Sequence, residues 1–447
     1  METLYQKSAI ISRVKKYFMP YIELVTKPSG EKLFLLLLAV LSMQVVSSIQ
    51  HIYKWFLAPL GKISQTAYYY LLSYTELPME KFAGVTIRKA LGLIDELHTK
   101  LPILLLLDDT LQAKFGTKFE CYSTMFDHAR HNGASYLKGH CFVALTICVP
   151  VVVGGSLQYL NIPIRFRVRG EDESKLAMAS KMITEAMVEL RDRHMVILLC
   201  DSWYPKGEVI ATVAAHKNLE LIANVRIDTA MFEMPERTGN RGRHAKKGKS
   251  VGIRNDFIFE KVDKYFVATK TVLTNLFGDT PVFMTATAPN FVSDKSYRLF
   301  ISTVFPHQLD ALFAGFECLL PQKYDVVRKS WLLPLAIYSF RWNIEVLFYE
   351  LKTFWSFGLY RLRSKSGITN FVNLLSIAYA SAKLLPLSDS FFASLSSASP
   401  QESKCAIGSL VRNDLFFAHF VDFLETLDIS LLNLPFFDSF NFFDHPA

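Results

Sequence analysis

Three carboxylates in this chain stand where side chains could be aimed at one point. Asp108 lies in the apolar run "LPILLLLDDT" (101–110), Asp201 ends "MVILLCD" (195–201), and Glu345 sits within "YSFRWNIEVLFYELK" (338–352). Short, unbroken apolar runs predict buried central strands, and the ends of such strands open onto a cleft. A carboxylate in apolar surroundings is costly unless a cation or hydrogen bonds compensate it. Three hard oxygen donors with room for water suit Mg²⁺ or Mn²⁺. Two such ions about 3.5–4 Å apart can activate a nucleophile and stabilise a leaving oxygen in phosphoryl transfer. Taken alone, an aspartate after an apolar strand also reads as a turn or cap residue. The ordered set of strand, hairpin, helix, strand, insertion and helix is what favours a shared site.

The stretch around Glu345 adds cations. At about 100° per residue, Tyr338, Arg341, Glu345 and Lys352 of one helix fall within an arc of roughly 60°. Ile344, Leu347, Phe348 and Leu351 fill the adjoining arc and predict a core-packing face. Two readings follow for the polar stripe. It is an i,i+4 salt bridge between Arg341 and Glu345 on an amphipathic helix, or a chemical stripe whose partners lie elsewhere in the chain.

The elements that must position these groups come next. At 447 residues the chain predicts two to four structural units. Lys and Arg exceed Asp and Glu by 49 to 41, a balance that permits a polyanionic partner without requiring one. The six cysteines, Cys121, Cys141, Cys148, Cys200, Cys318 and Cys405, form no CxxC pair. They read as reduced, buried thiols of a cytoplasmic protein. The segment "LFLLLLAVLSMQVVSSI" (33–49) is interrupted by Ser42, Gln44, Ser47 and Ser48, so a buried helix is expected there rather than a membrane span.

Residues 1–98 read as a helical unit. From residue 99 to 226 the pattern is α/β. "GHCFVALTICVPVVV" (139–153) and "LQYLNIPIRFRVRG" (157–170) flank Gly154-Gly155 and predict a hairpin. Residues 171–194 predict a helix, and "LELIANVR" (219–226) a further strand. Residues 227–304 break into short alternating segments, a β-rich insertion opening with "RTGNRGRHAKKGK" (237–249). Helices resume over 305–385. A Ser-rich linker and a Phe-rich helical tail make up residues 386–447.

Tyr338-x₂-Arg341-x₃-Glu345-x₆-Lys352 matches in full the YREK signature of the insertion-sequence 4 family of DDE transposases, which this chain resembles over about residues 100–385. "LLLLDDT" is similar to the family's first catalytic strand and "LLCDSWY" to its second. The resemblance implies a ribonuclease-H-like mixed sheet flanked by helices, with the β-rich insertion between the second aspartate and the glutamate. It implies that Asp108, Asp201 and Glu345 hold two Mg²⁺ or Mn²⁺ ions. Arg341 and Lys352 would then contact phosphates, with Tyr338 packing or hydrogen-bonding beside them. Trp342 matches a family tryptophan and either stacks near DNA or packs in the core. Many relatives carry Asp-x-Thr, which favours Asp108 over Asp109, and neighbouring strand residues face opposite sides, so only one should reach the cleft.

The implied partners are double-stranded DNA, both terminal inverted repeats and target, and a second copy of the chain on that DNA. Residues 1–98 would recognise the repeats. The implied setting is the cytoplasm of a prokaryote, at the nucleoid, with no membrane. In the basic loop, Arg241, Arg243, Lys246 and Lys247 among glycines read as phosphate contacts or as a solvated turn. His128, His131 and His140 fit no common zinc spacing, and read as structural or DNA-facing. The rivals are a nuclease of the same fold, a silent DNA-binding derivative, and a membrane protein.

Overall fold

The computed structural model describes residues 8–426, apart from residues 62, 117, 128–134, 237–244 and 290–296. Five helices come first: α1 (Ala9–Ile22), α2 (Lys27–Ser42), α3 (Ile49–Ile52), α4 (Gln65–Ser73) and α5 (Met79–Leu91). From Leu33 to Ser42 every residue of α2 is buried. A helix apolar on all sides must be covered all round. The covering comes from α1 and α4 and from two C-terminal helices, α12 (Lys365–Ser388) and α13 (Pro400–Thr426). Residues 33–49 are therefore a buried helix only as far as Ser42, and residues 43–48 are not helical. Among the described residues only α12 is long and apolar enough to cross a membrane, and 83% of that window is buried inside the protein.

The centre is a mixed α/β sheet. Strand β1 (Ile103–Ala113) is flanked by β3 (Tyr136–Val153) on one side and β5 (Val196–Cys200) on the other. Its first five residues are buried, as expected of a strand with both edges paired and both faces covered. A short β2 (Ser123–Phe126) pairs the start of β3, and β4 (Ser156–Val168) pairs the rest. Gly154 and Gly155 join β3 to β4 with φ of 57° and 79°. Both central positions of so tight a turn need positive φ, which glycine adopts freely.

From β4 the chain crosses back through α6 (Lys175–Leu190) to β5, then through α7 (Gly207–Ala215) to β6 (Leu219–Val225). The expected helix over 171–194 is trimmed to α6, because Ser174 caps it through a bond from the Ala177 N–H. The resulting order is β4-β3-β1-β5-β6, with β3 antiparallel to its neighbours and the other four strands mutually parallel.

The β-rich segment after residue 227 continues this sheet. It contributes β7 (Met231–Phe232), β8 (Ser250–Val251), β9 (Glu260–Val262), β10 (Tyr265–Thr274), β11 (Val282–Ala288) and β12 (Arg298–Ser302), with a short α8 (Ile253–Asp256). Strand β12 pairs β6 antiparallel, and β11 and β10 follow outward. Then come α9 (Pro306–Phe313), α10 (Leu333–Tyr338) and α11 (Trp342–Phe354).

Helices cover both faces. α5 packs on α6 and β4, and α6 on β3, while α10 packs on β6 and α11 on β1. The Ser-rich linker is shorter than its composition implies, since α12 runs on to Ser388 and α13 begins at Pro400. One apolar core reaches from α1 to α13, so the N-terminal helices share the core of the sheet.

Candidate active site

Strand register brings the two aspartates together. The last pair between β1 and β5 is Leu107 with Cys200, and the next residues are Asp108 and Asp201. Register-matched residues on parallel strands about 4.8 Å apart present their side chains to the same face. Strand β5 stops there, whereas β1 runs on to Ala113 beside β3. That mismatch opens a cleft of about 1460 Å³ lined by Asp108, Asp201, Glu345 and Lys352.

Each carboxylate is fixed locally. Asp108 Oδ1 accepts from the Asp109 N–H at 2.8 Å, and Asp201 Oδ1 from the Trp203 N–H at 3.0 Å. Burial and the neighbouring Asp201 charge push the Asp108 carboxyl up to about 7, against the pull of Arg341. Burial raises Asp201 as well, opposed by its bond from Trp203. The site therefore holds more negative charge than its surroundings solvate.

Glu345 and Arg341 come from the other side. The stripe is not one helix, because α10 ends at Tyr338, a 3₁₀ turn spans Ser339–Arg341, and α11 starts at Trp342. The expected arc still survives in part. Arg341 donates to Asp108 Oδ2 at 2.8 Å and also to Glu345 Oε1, so one guanidinium joins the sheet to α11. The i,i+4 salt bridge is real, and it is half of a three-residue bridge. Burial works against the Arg341 charge, but Tyr338, Asp108 and Glu345 more than reverse this and hold it protonated.

The remaining stripe residues have separate places. The Tyr338 ring packs on Phe300 of β12, with centroids 4.9 Å apart, and lies 6.0 Å from the Arg341 guanidinium. Lys352 Nζ donates to the Leu111 carbonyl at 2.9 Å, and burial lowers its pKa. Trp342 is 60% exposed, which overturns the core reading. Its position at the first residue of α11, directly after the turn, points the indole away from the Ile344–Leu347–Leu351 face that packs inward.

Asp109 lines the same cleft as Asp108, against the expectation that only one of them would reach it, but its carboxylate is held by a different set of donors. Its carboxylate accepts from Tyr204 Oη at 2.8 Å, from Lys175 Nζ at 2.7 Å and from Cys141 Sγ at 3.3 Å. Tyr204 is fully buried, and its N–H donates to the Asp201 carbonyl at 3.2 Å. This cluster ties the turn after Asp201 to β1. Lys175 and Lys206 lie 4.9 and 4.8 Å from the Trp203 ring at the cleft wall. The quoted motif "LLCDSWY" already contains Trp203 and Tyr204, so their nearness to the site was readable. Nothing in spacing signals Lys175, which arrives from the start of α6.

The charged side chains of the lining are mainly acidic. Glu120, Asp127, Glu171 and Asp172 join the four carboxylates above, against Arg169, Lys175 and Lys352. Among the described residues no three His, Cys, Asp or Glu side chains stand grouped to hold a metal ion. Arg341 lies between two of the three expected donors and supplies the positive charge there.

No protein-family model matches the chain, and no curated protein matches it. The case for function therefore rests on the residues themselves.

The other expected contacts divide three ways. Arg241, Arg243, His128 and His131 lie outside the described residues. Lys246 is exposed, while Lys247 donates to Asn275 Oδ1 and sits 4.7 Å from the Phe232 ring. His140 is buried, with Nδ1 2.6 Å from Tyr360 Oη and Nε2 3.0 Å from the Glu120 carbonyl. Its role is structural, since both ring nitrogens are engaged by the protein.

Proposed function

We propose that this chain is a metal-dependent DNA transposase of the DDE type, acting through Asp108, Asp201 and Glu345. The observation that carries the reading is that these groups line one cleft: two aspartates follow the last register pair of β1 and β5, and Glu345 is joined to Asp108 through Arg341. The strand order β4-β3-β1-β5-β6, with only β3 reversed, supports a ribonuclease-H-like core. The YREK residues fall beside it, as the family resemblance implies.

The donor chemistry fits Mg²⁺ or Mn²⁺. Three carboxylate oxygens are hard ligands, and a bound cation would offset the burial that raises Asp108 and Asp201. When bound, two such ions would activate water against a phosphodiester and stabilise the leaving oxygen. The chain's own residues do the rest of the work. β1 and β5 fix the two aspartates at one edge of the cleft, and α11 delivers Glu345 from the facing side. The Asp109–Tyr204 bond holds the turn that aims Asp201. Exposed Trp203 and Trp342 are available to stack on bases.

In this reading the freed 3′-hydroxyl attacks a target strand, and two copies of the chain each process one DNA end. A nuclease of the same fold would keep the three carboxylates without needing the YREK stripe.

The test uses purified protein and duplexes taken from the DNA flanking its coding region. Cutting is expected with Mg²⁺ or Mn²⁺ and not with EDTA, and Glu345→Gln is expected to reduce it to background while DNA binding persists. Undiminished cutting by that variant sinks the assignment. Cutting without joining to a target strand would favour the nuclease.

A further inference from the structure

Arg341 is a cation committed to two acceptors on two elements. Its terminal nitrogens reach Asp108 Oδ2 at the end of the buried part of β1 and Glu345 Oε1 on α11. The Arg341 and Asp108 side chains are each only 15% exposed, so this contact is little screened by water. Two of the three carboxylates that the proposed function assigns to a divalent ion are thus already occupied. A guanidinium and a divalent ion compete for the same oxygen lone pairs, and their charges repel.

A guanidinium has a second preferred partner, since a phosphate, like a carboxylate, offers two anionic oxygens that its fork of donors can bridge. A DNA strand in the cleft lined by Asp108 and Glu345 would bring such a group near their shared partner Arg341. We infer that Arg341 is an exchangeable internal cation: it holds Asp108 and Glu345 in the DNA-free protein and transfers to a DNA phosphate when a strand binds. The carboxylates are released for metal by the same event. DNA binding and divalent-ion binding are then positively coupled, and the coupling must be reciprocal. Metal is held weakly until substrate arrives, which guards the site against cutting out of place. This inference rests on the metal-dependent reading of the site.

The test is Mn²⁺ binding to the full chain, by electron paramagnetic resonance of free Mn²⁺ or by calorimetry, with and without a short duplex. Wild type is expected to bind Mn²⁺ weakly alone and on the order of tenfold more tightly with DNA. Arg341→Gln is expected to bind Mn²⁺ tightly without DNA, with DNA adding less than about threefold. Arg169→Gln, which removes a different cleft cation, is expected to behave as wild type. Removing Arg341 leaves Asp108 without its partner, so the variant should melt earlier than wild type in EDTA and gain more from Mn²⁺.

Equal Mn²⁺ affinity in wild type and Arg341→Gln, or equal enhancement by DNA in both, overturns the inference and leaves the metal reading standing. Absence of Mn²⁺ binding in every variant, with or without DNA, overturns the metal reading itself.

Discussion

Asp108 and Asp109 are neighbours on one strand, and the protein treats them oppositely. Asp108 faces the cleft, where its partner Arg341 comes from a distant part of the chain and is shared with Glu345. Asp109 lines the same cleft, but its carboxylate is held by Lys175, Tyr204 and Cys141. One carboxylate is left with a cation that could be exchanged. The other is closed in by fixed donors. The pair shows how neighbouring carboxylates that line one cleft can be held differently, one by a shared guanidinium and the other by three separate donors.

This contrast can be broken in several ways, beginning with the largest expected effect. Asp109→Ala removes three contacts at once and leaves the Lys175 ammonium and the Tyr204 hydroxyl without their acceptor. Breaking a largely buried pair of this kind costs about 3 kcal/mol, measurable by denaturant unfolding. A loss below about 1 kcal/mol would remove the structural role from Asp109.

The second effect is a pH dependence to which the Asp108 carboxyl contributes, alongside the raised Asp201. Its carboxyl is raised to about 7 in the folded protein by burial and by Asp201. The folded state therefore holds its proton across a range where the unfolded chain has released it. Stability from this group is full below the unfolded pKa of about 3.9 and is lost as pH rises towards 7. Within that window each pH unit costs at most about 1.4 kcal/mol. Melting in EDTA from pH 4 to 8 should show the loss, and Asp108→Asn should flatten it. An unchanged profile in the variant would place the titration elsewhere.

The smallest effect sharpens the same comparison. Tyr204→Phe deletes one hydrogen bond while keeping the buried ring, and should cost about 1 kcal/mol. Because Tyr204 sits three residues after Asp201, the variant should also bind Mn²⁺ less tightly than wild type when DNA is present. A stability loss with unchanged Mn²⁺ affinity would make the bond a brace alone.

Much of this was legible in the sequence, for identifiable reasons. β1 and β5 were readable because a strand paired on both edges leaves an unbroken apolar run, and the aspartates mark where those runs end. The Gly154-Gly155 hairpin was readable because its turn requires positive φ. α7 left no comparable mark, as "GEVIATVAA" is nearly uniform in hydropathy and carries no polar stripe. The break at Ser339–Arg341 was hidden because a 3₁₀ turn keeps almost the same side-chain order as a helix over three residues. Trp342 was ambiguous for a related reason, since its side depends on where the turn ends.

The site was legible in its carboxylates and less so in its cations. Spacing placed Arg341 near Glu345 through the i,i+4 relation. It gave no sign that Arg341 also reaches Asp108, which is distant in the chain and comes close only through packing of α11 on β1. Lys175 was hidden in the same way. Contacts set by tertiary packing leave no periodic trace.

The central claim is that Asp108, and not its neighbour, performs the chemistry. Cleavage of DNA flanking the coding region, with Mn²⁺, should be measured for Asp108→Asn and Asp109→Asn side by side. The account predicts that folded Asp108→Asn does not cut, whereas Asp109→Asn still cuts at temperatures where it remains folded. Cutting by Asp108→Asn at the wild-type rate would contradict it.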